Sequence, residues 1–438
     1  MEQIKINNSI IKIVGLLGDL PKKSKSNEQN DLLHAGFNIE KFPTKPDGQK
    51  DENSIKFLKD YFYPEFRKIM FFDALNKRFF NKQTFSVGLI KKIKDKDDNE
   101  KTINFPIAVI DTEVFLFPGN LSLFSLTIKV ETDQLTLETL NNVLFLIRNF
   151  DTETSEGILW HEWISKYTLG GINLRGPGIK ADEYSGSKFK LYTVIDTDVN
   201  KESREHCLYD MATVSPIGSA DGNTFLSPSE NYYQQIMQNK VEAFNNWEAL
   251  CLFDSFTCLG NNQLANVNSV KTWEYTYFRI YVFRLFLKYN LFKYNSEINE
   301  DSVKLRDEFE KFLNNYNINT ISFNFLGNMI YQKIGESLYI DDELDAFQIR
   351  INRISQAIQE EKQAKTNNLL QLVSILGGIT SLGPVFEILT KVKSLLGWND
   401  IQLYSILFIV SVSIGTGLLI YLMPDKYQKF KRWWKSKK

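Results

Sequence analysis

The chain has 438 residues, 43% of them hydrophobic and 13% aromatic, with 33 Phe, 19 Tyr and a formal net charge of -1. That balance excludes a strongly basic nucleic-acid binder, and the apolar content excludes a disordered chain. Cys207, Cys251 and Cys258 form no C-x-x-C pair, which argues against a disulfide framework and for a reducing compartment.

The length predicts two or three domains. The opening "MEQIKINNSIIKIVGLLGDLPKKSKS" has a short apolar patch broken by Lys5 and Lys12 and no signal-peptide core, so the bulk of the chain is expected in the cytosol. Residues 1–150 read as a cytosolic α/β domain whose first fifty residues are partly loop. "TFSVGLIKKIK", "FPIAVIDTEVFLF" and "LSLFSLTIKVE" are predicted strands, the last two joined at Pro118-Gly119-Asn120. "KKIKDKDDNEK" is a solvated hairpin tip, and "TLETLNNVLFLIRNF" is a helix with a Thr-x-x-Leu start.

Residues 151–335 read as a mixed, increasingly helical cytosolic domain. In "YTLGGINLRGPGIK", Arg175 lies among Gly170, Gly171, Gly176 and Gly178. Glycine-exposed amides plus a guanidinium suit a phosphate or carboxylate, although the Gly-Lys-Ser/Thr ending of a Walker loop is missing. "SPIGSADGNTFLSPSE" offers Asp221, Gly222 and Asn223, and "LWHEW" offers Trp160 and His161 for stacking on a base. The candidate ligand residues are therefore Trp160, His161, Arg175, Gly176, Asp221 and Asn223. The competing readings are surface loops, turns and core tryptophans. The aromatic helix from Trp273 to Phe292 contains Arg279, Arg284 and Lys288 and is too charged to cross a membrane, so it is expected to pack in the cytosolic part or against the stalk.

Residues 336–368 read as a stalk helix. Ile340, Leu344, Phe347, Ile351, Ile354 and Ile358 are spaced by 4, 3, 4, 3 and 4, a heptad seam. The register continues through Leu372, Ile375, Ile379, Leu382 and Phe386, which predicts one unbroken helix. A second stripe of Asn367, Gln371, Ser374, Gly378 and Ser381, with Asn368 beside it, places polar and small residues on one face. Water in a pore is the partner this predicts, and ordinary small-residue packing is the alternative.

Two apolar runs follow, Leu369–Leu389 and Leu403–Met423, each of about 20 residues and long enough to span a bilayer. The expected division is a first transmembrane helix at 369–396, an external loop at 397–401, a second transmembrane helix at 402–423 and a basic tail at 424–438. The alternative is a buried hairpin in a soluble core. Seven basic residues between Lys426 and Lys438, with Trp433 and Trp434, place the tail at the cytosolic face. Both termini are then cytosolic and Gly397-Trp398-Asn399 lies outside. One hairpin cannot enclose a pore, so several copies are implied.

No catalytic residues are expected. His34, His161 and His206 show no metal spacing, and no G-x-S-x-G, H-E-x-x-H or paired-cysteine motif occurs, which predicts neither an enzyme nor a metal site. The "DELD" carboxylates, Asp342 to Asp345, read as a solvated helix exterior.

The order of cytosolic domain, stalk helix, first span, short loop, second span and basic tail resembles the CorA family of divalent-cation channels. Gly397-Trp398-Asn399 stands where that family has Gly-Met-Asn. Pro384 and Asn368 (or Asn367) look like the family's proline and asparagine of the first span. The resemblance covers about the last hundred residues. It extends weakly to "WEYTYFRIYVFRLFLKYNLF" and "VFLFPGNLSLFSLTIKVE". It implies an α+β cytosolic domain on a long stalk helix with two C-terminal transmembrane helices, in a homopentamer whose first span lines the pore. Trp398 for Met, Pro384 13 positions before Gly397, and a lone Asp400 beside Lys391 and Lys393 depart from the pattern and put Mg²⁺ selectivity in doubt. The chain looks most like the CorA-type effectors of type III CRISPR defence. That likeness implies a ligand-gated channel of the bacterial inner membrane, opened by a nucleotide messenger such as S-adenosylmethionine joined to AMP. The partners implied are further copies of the chain, lipid and the nucleotide, without nucleic acid. The alternatives are a constitutive Mg²⁺ or divalent-cation transporter and a membrane-anchored binding or scaffold protein.

Overall fold

The computed structural model of the chain describes residues 4–17, 32–40, 51–72, 77–94, 100–117, 121–172, 174, 188–222, 224–296 and 302–380, with isolated positions between 387 and 409. Two compact units are present, residues 1–350 and 351–438.

The first unit is built on one ten-stranded sheet. Its strands are β1 (Ile6–Leu16), β2 (Asn38–Glu40), β3 (Lys77–Asn81), β4 (Phe85–Lys94), β5 (Glu100–Phe117), β6 (Leu121–Val130), β7 (Lys190–Thr197), β8 (Lys240–Phe244), β9 (Trp247–Cys251) and β10 (Ser255–Gly260). The order is β2-β3-β5-β6-β1-β7-β10-β9-β8, with β4 paired to β5 outside this path. Among the described residues β7 and β10 run parallel and the other pairs antiparallel. The longer helices are α1 (Glu52–Tyr61), α2 (Leu137–Arg148), α3 (Lys201–Thr213), α4 (Glu230–Met237), α5 (Phe278–Ser296), α6 (Ser302–Tyr316), α7 (Phe325–Ser337) and α8 (Ile340–Thr380).

The central strand explains the layering. In β1 Ile11 and Ile13 face one side and Lys12 and Val14 the other, because side chains alternate along a strand. All four are buried. A strand covered on both faces reads as a nearly continuous apolar run, as "IIKIVGLL" does. Ile11 and Ile13 join Leu126, Ile128, Leu191 and Ile195 in a core that takes in α2, Trp160, Trp163 and α3. Thr136 begins α2, its hydroxyl accepting from the Thr139 amide at 3.2 Å. On the opposite face α5 lies against β6, with Phe117 stacked on Phe286 at 4.2 Å and Phe278 edge-on to Tyr192 at 5.1 Å. From Phe278 to Leu291 every residue of α5 is buried. Arg279, Arg284 and Lys288 are therefore inside the protein.

Gly15 marks how tightly the first face is filled. A Cβ there would lie 2.5 Å from Phe124 Cε1 and 2.9 Å from Phe189 Cδ1. Phe124 sits directly opposite Gly15 on β6. Gly15→Ala is therefore expected to destabilise the fold by about 1–3 kcal/mol through overpacking, read as a lower urea midpoint.

The architecture corrects the expected fold class. The strands and helices are not segregated into an α+β domain followed by helices; one large mixed sheet has helices on both faces. The expected boundary at 150 falls within this sheet, since β1 pairs with β6 on one side and β7 on the other. Among the described residues no helix is long and apolar enough to cross a membrane. The expected homopentameric CorA-like architecture, multi-pass channel and bacterial inner-membrane location are therefore not supported.

The physical reason lies in α8. Residues 340–368 of this helix are mostly charged or amide, and the described helix ends at Thr380. Within the described helix only the stretch from Leu369 to Thr380 is apolar, so the helix as described is not apolar enough for a membrane span. The second expected span and the basic tail lie almost entirely outside the described residues, as do Pro384, Trp398 and Asp400. In the first unit Ile340 and Phe347 are buried, Phe347 packing on Phe309 at 4.4 Å. In the second, residues 359–374 of α8 are exposed on every side.

Candidate functional site

On the α5 side, the sheet carries charge where its neighbours are apolar. Lys12 of β1, Thr127 of β6 and Asp111 of β5 occupy one row across three strands. The next row holds Ser125 and Glu113 opposite each other. Phe115 follows two residues beyond Glu113, with Arg78 of β3 as its cross-strand partner. Alternation places Asp111, Glu113 and Phe115 on the same face. The cover comes from the π-helical turn Thr272–Tyr277 and the first turn of α5, which contribute Glu274, Tyr275, Phe278 and Arg279. Single π turns inserted in a helix often mark functional sites, because they displace side chains from regular α positions.

Each cation is held differently. Lys12 Nζ donates to Thr127 Oγ1 at 3.0 Å and lies 4.6 Å from the centre of the Phe278 ring. Arg78 is ion-paired with Glu113 Oε1 and lies 5.7 Å from the Tyr275 ring. Arg279 stacks over Phe115 at 4.6 Å, and its Nη1 comes within 3.6 Å of Glu113 Oε2. That separation is an ion pair without a hydrogen bond. The Arg279 side chain is only 1% exposed, yet Nε, Nη1 and Nη2 have no hydrogen-bond partner among the described residues. The same holds for three acceptors beside it, Asp111 Oδ1, Glu113 Oε2 and Ser125 Oγ.

Burial alone would raise Glu113, but Arg78, Arg279 and Lys12 outweigh it and hold this carboxylate far below the ordinary range. Burial, reinforced by Glu113, pushes Asp111 up to about 6. Burial also raises Glu274 and disfavours the charged form of Arg279, with Arg78 adding to the latter. Because Asp111 holds its proton to higher pH in the folded chain than in the unfolded one, it stabilises the fold at low pH. That contribution is lost as pH rises through about 6. Relative to Asp111→Asn, the wild type is expected to gain about 1 kcal/mol between pH 7 and pH 5. Urea unfolding of both proteins at the two pH values measures this.

Helix α5 leads away from the cluster. Arg284, one turn on, is fully engaged: Nε donates to the Tyr331 carbonyl at 2.9 Å and the guanidinium lies 3.4 Å over that ring. Lys288 is buried and ion-paired with Glu343 in the first turns of α8. Its ammonium lies 4.5 Å from the Phe292 ring and 5.2 Å from Phe253. Phe253 also receives Lys190 at 4.1 Å.

The ligand residues expected from the sequence do not form this site. Trp160 is buried in the opposite layer, and its Nε1 donates to the Ile147 carbonyl at 3.0 Å. The His161 ring nitrogen bonds the Phe150 carbonyl at 3.0 Å. Asp221 pairs with His206 of α3. Arg175, Gly176 and Asn223 lie outside the described residues, as do Ser381 and Trp398. Asn367, Asn368, Gln371 and Ser374 are exposed positions on α8, Gly378 lies on the same helix, and Gly397 and Asn399 are exposed. The reading from sequence missed Arg279 and Glu113. Their only trace there is a charged residue inside an otherwise apolar run, as in "AVIDTEVFLF" and "YFRIYVFRLF". No protein-family model, no curated protein and no solved structure matches this chain.

Proposed function

We propose that this protein is a ligand-responsive signalling module, in which a small charged ligand acts on the Glu113–Arg279 cluster and α8 carries the response. The observation that supports this most directly is α5 itself. One buried helix bears the unbonded Arg279 guanidinium near its start and, nine residues on, the Lys288 that pairs with Glu343 of α8. A packed helix moves as a unit, so a ligand that reseats Arg279 also bears on the Lys288–Glu343 pair.

The response we assign to α8 is association with further copies of the chain. From residue 359 to 374 the helix is exposed all round, and Leu369, Leu370 and Val373 are each more than half exposed. Isolated helices draw most of their stability from packing. A nucleotide is the first ligand type to test, following the resemblance to messenger-gated effectors. The full chain would be sedimented with AMP, ATP, S-adenosylmethionine or S-adenosylmethionine joined to AMP. One of these should raise its mass, while Lys288→Met should bind the ligand equally well without the mass increase. An unchanged mass in the wild type with all of them and with the free amino acids, or an undiminished response in Lys288→Met, refutes the proposal.

A further inference from the structure

The buried cluster narrows the chemistry of what it accepts. Its charges balance, with Lys12, Arg78 and Arg279 against Asp111, Glu113 and Glu274. Its unbonded atoms do not all have one polarity. Three donors on Arg279 and three acceptors, on Asp111, Glu113 and Ser125, lack hydrogen-bond partners among the described residues. Leaving such atoms unpaired is costly, and the cost is greatest for a buried guanidinium. A simple anion would serve Arg279 but unbalance the cluster and press against Glu113. A simple cation would do the reverse. A group carrying both charges on neighbouring atoms satisfies donors and acceptors together without changing the net charge.

We propose that this cluster is a binding site for an α-amino-acid zwitterion. The carboxylate sits on Arg279, and the ammonium on Glu113 Oε2, Asp111 Oδ1 and Ser125 Oγ. Arg279 is prepared for this role. Phe115 covers a face of its guanidinium and Nη1 is directed at Glu113, which leaves the Nε and Nη2 donors as the fork that matches a carboxylate. Arg284, on the same helix, shows the contrast: its Nε and its ring face are both engaged. On the acid side the buried Asp210 is likewise complete, accepting from the Gly218 and Ala220 amides at 2.7 and 3.0 Å. Single unbonded charged atoms also occur on Arg67, Arg148, Glu248 and Glu343. Among the described residues, however, Arg279 is the one guanidinium with all three nitrogens unbonded, and it has unbonded acceptors beside it. Phe115, Phe278 and Tyr275 supply apolar walls, which favour an uncharged side chain on the ligand. Tyr275 is 40% exposed and marks the side open to solvent.

This inference rests on the proposed sensor reading only for its place in the molecule, and binding tests it independently of assembly. Isothermal titration calorimetry on the full chain would use the proteinogenic amino acids, their N-acetyl and carboxamide derivatives, acetate and inorganic phosphate. An amino acid with an uncharged side chain should bind, and blocking either its ammonium or its carboxylate should weaken it at least tenfold. Ser125→Ala and Asp111→Asn, checked for native circular dichroism, should each weaken it several-fold, and Arg279→Lys should abolish it. The proposal is overturned if no amino acid binds, if the N-acetyl form, acetate or phosphate binds as well as the free amino acid, or if binding survives unchanged in Ser125→Ala and Asp111→Asn. Amino-acid binding with no effect on sedimented mass would remove the sensor reading and leave this site standing. A mass change driven by a nucleotide, with no amino acid bound, would do the opposite.

Discussion

Glu113→Ala is expected to lower the stability of the fold by about 3–5 kcal/mol, the largest single loss from any carboxylate in the first unit. The carboxylate is buried and is the ion-pair partner of both Arg78 and Arg279. Removing it leaves two buried or half-buried guanidinium groups facing each other without their direct ion-pair partner, and with Asp111 as the remaining acid that acts on both. The alternative of deprotonating an arginine is closed at neutral pH. Glu113→Gln keeps the shape and one acceptor but loses the charge, so its cost should be smaller, about 2–3 kcal/mol. Urea unfolding followed by circular dichroism separates the two. A loss below 1 kcal/mol for the alanine variant would mean that solvent already screens the cluster.

The second large effect is an asymmetry. Glu343→Ala should cost about 2–3 kcal/mol, whereas Lys288→Met should cost less than about 1 kcal/mol. The lysine side chain is only 2% exposed while Glu343 is 31% exposed. Taking away the acid strands an ammonium among Phe253, Phe292 and the rest of α5. Replacing the lysine by methionine keeps its length among those rings. The Glu343 side chain, 31% exposed although its Oε2 is shielded in the folded chain, can then turn its carboxylate to water. Equal costs for the two variants would show that the pair acts as a surface bridge. The same pair is the joint between α5 and α8, so Lys288→Met separates stability from signalling.

Much of the sheet is legible in the residues. "TFSVGLIKKIK", "FPIAVIDTEVFLF" and "LSLFSLTIKVE" occur as β4, β5 and β6 because alternation and β-branched content are local signals. The charged, aromatic helix at Arg279, Arg284 and Lys288 is also recognisable as one that stays off a membrane. What local patterns omit is pairing across distance. Nothing near Ile11 announces β7, whose strand begins more than 170 residues later. The same gap hides the site, since Lys12, Asp111 and Arg279 are ordinary single charges until three strands and a helix bring them together. The apolar run from Leu369 reaches the length of a membrane span by counting residues, but the described helix that carries it is mostly charged or amide before Leu369. Trp160 and His161 look like ligand groups by type, but Trp160 is buried with its Nε1 bonded to a backbone carbonyl, and Nδ1 of His161 is bonded to another.

The position of β1 also sets a timetable for synthesis. It leaves the ribosome well before both of its neighbours, β6 and β7. At about 5–20 residues per second, the chain needs roughly 10–40 s to pass from β1 to the end of β7. Throughout that interval one or both edges of an apolar strand offer unpaired N–H and C=O groups, the arrangement most prone to pairing with a foreign strand. The nascent chain therefore presents its future centre as an open edge, and a chaperone that holds extended apolar segments should raise the yield of folded protein more than one that acts on the finished chain.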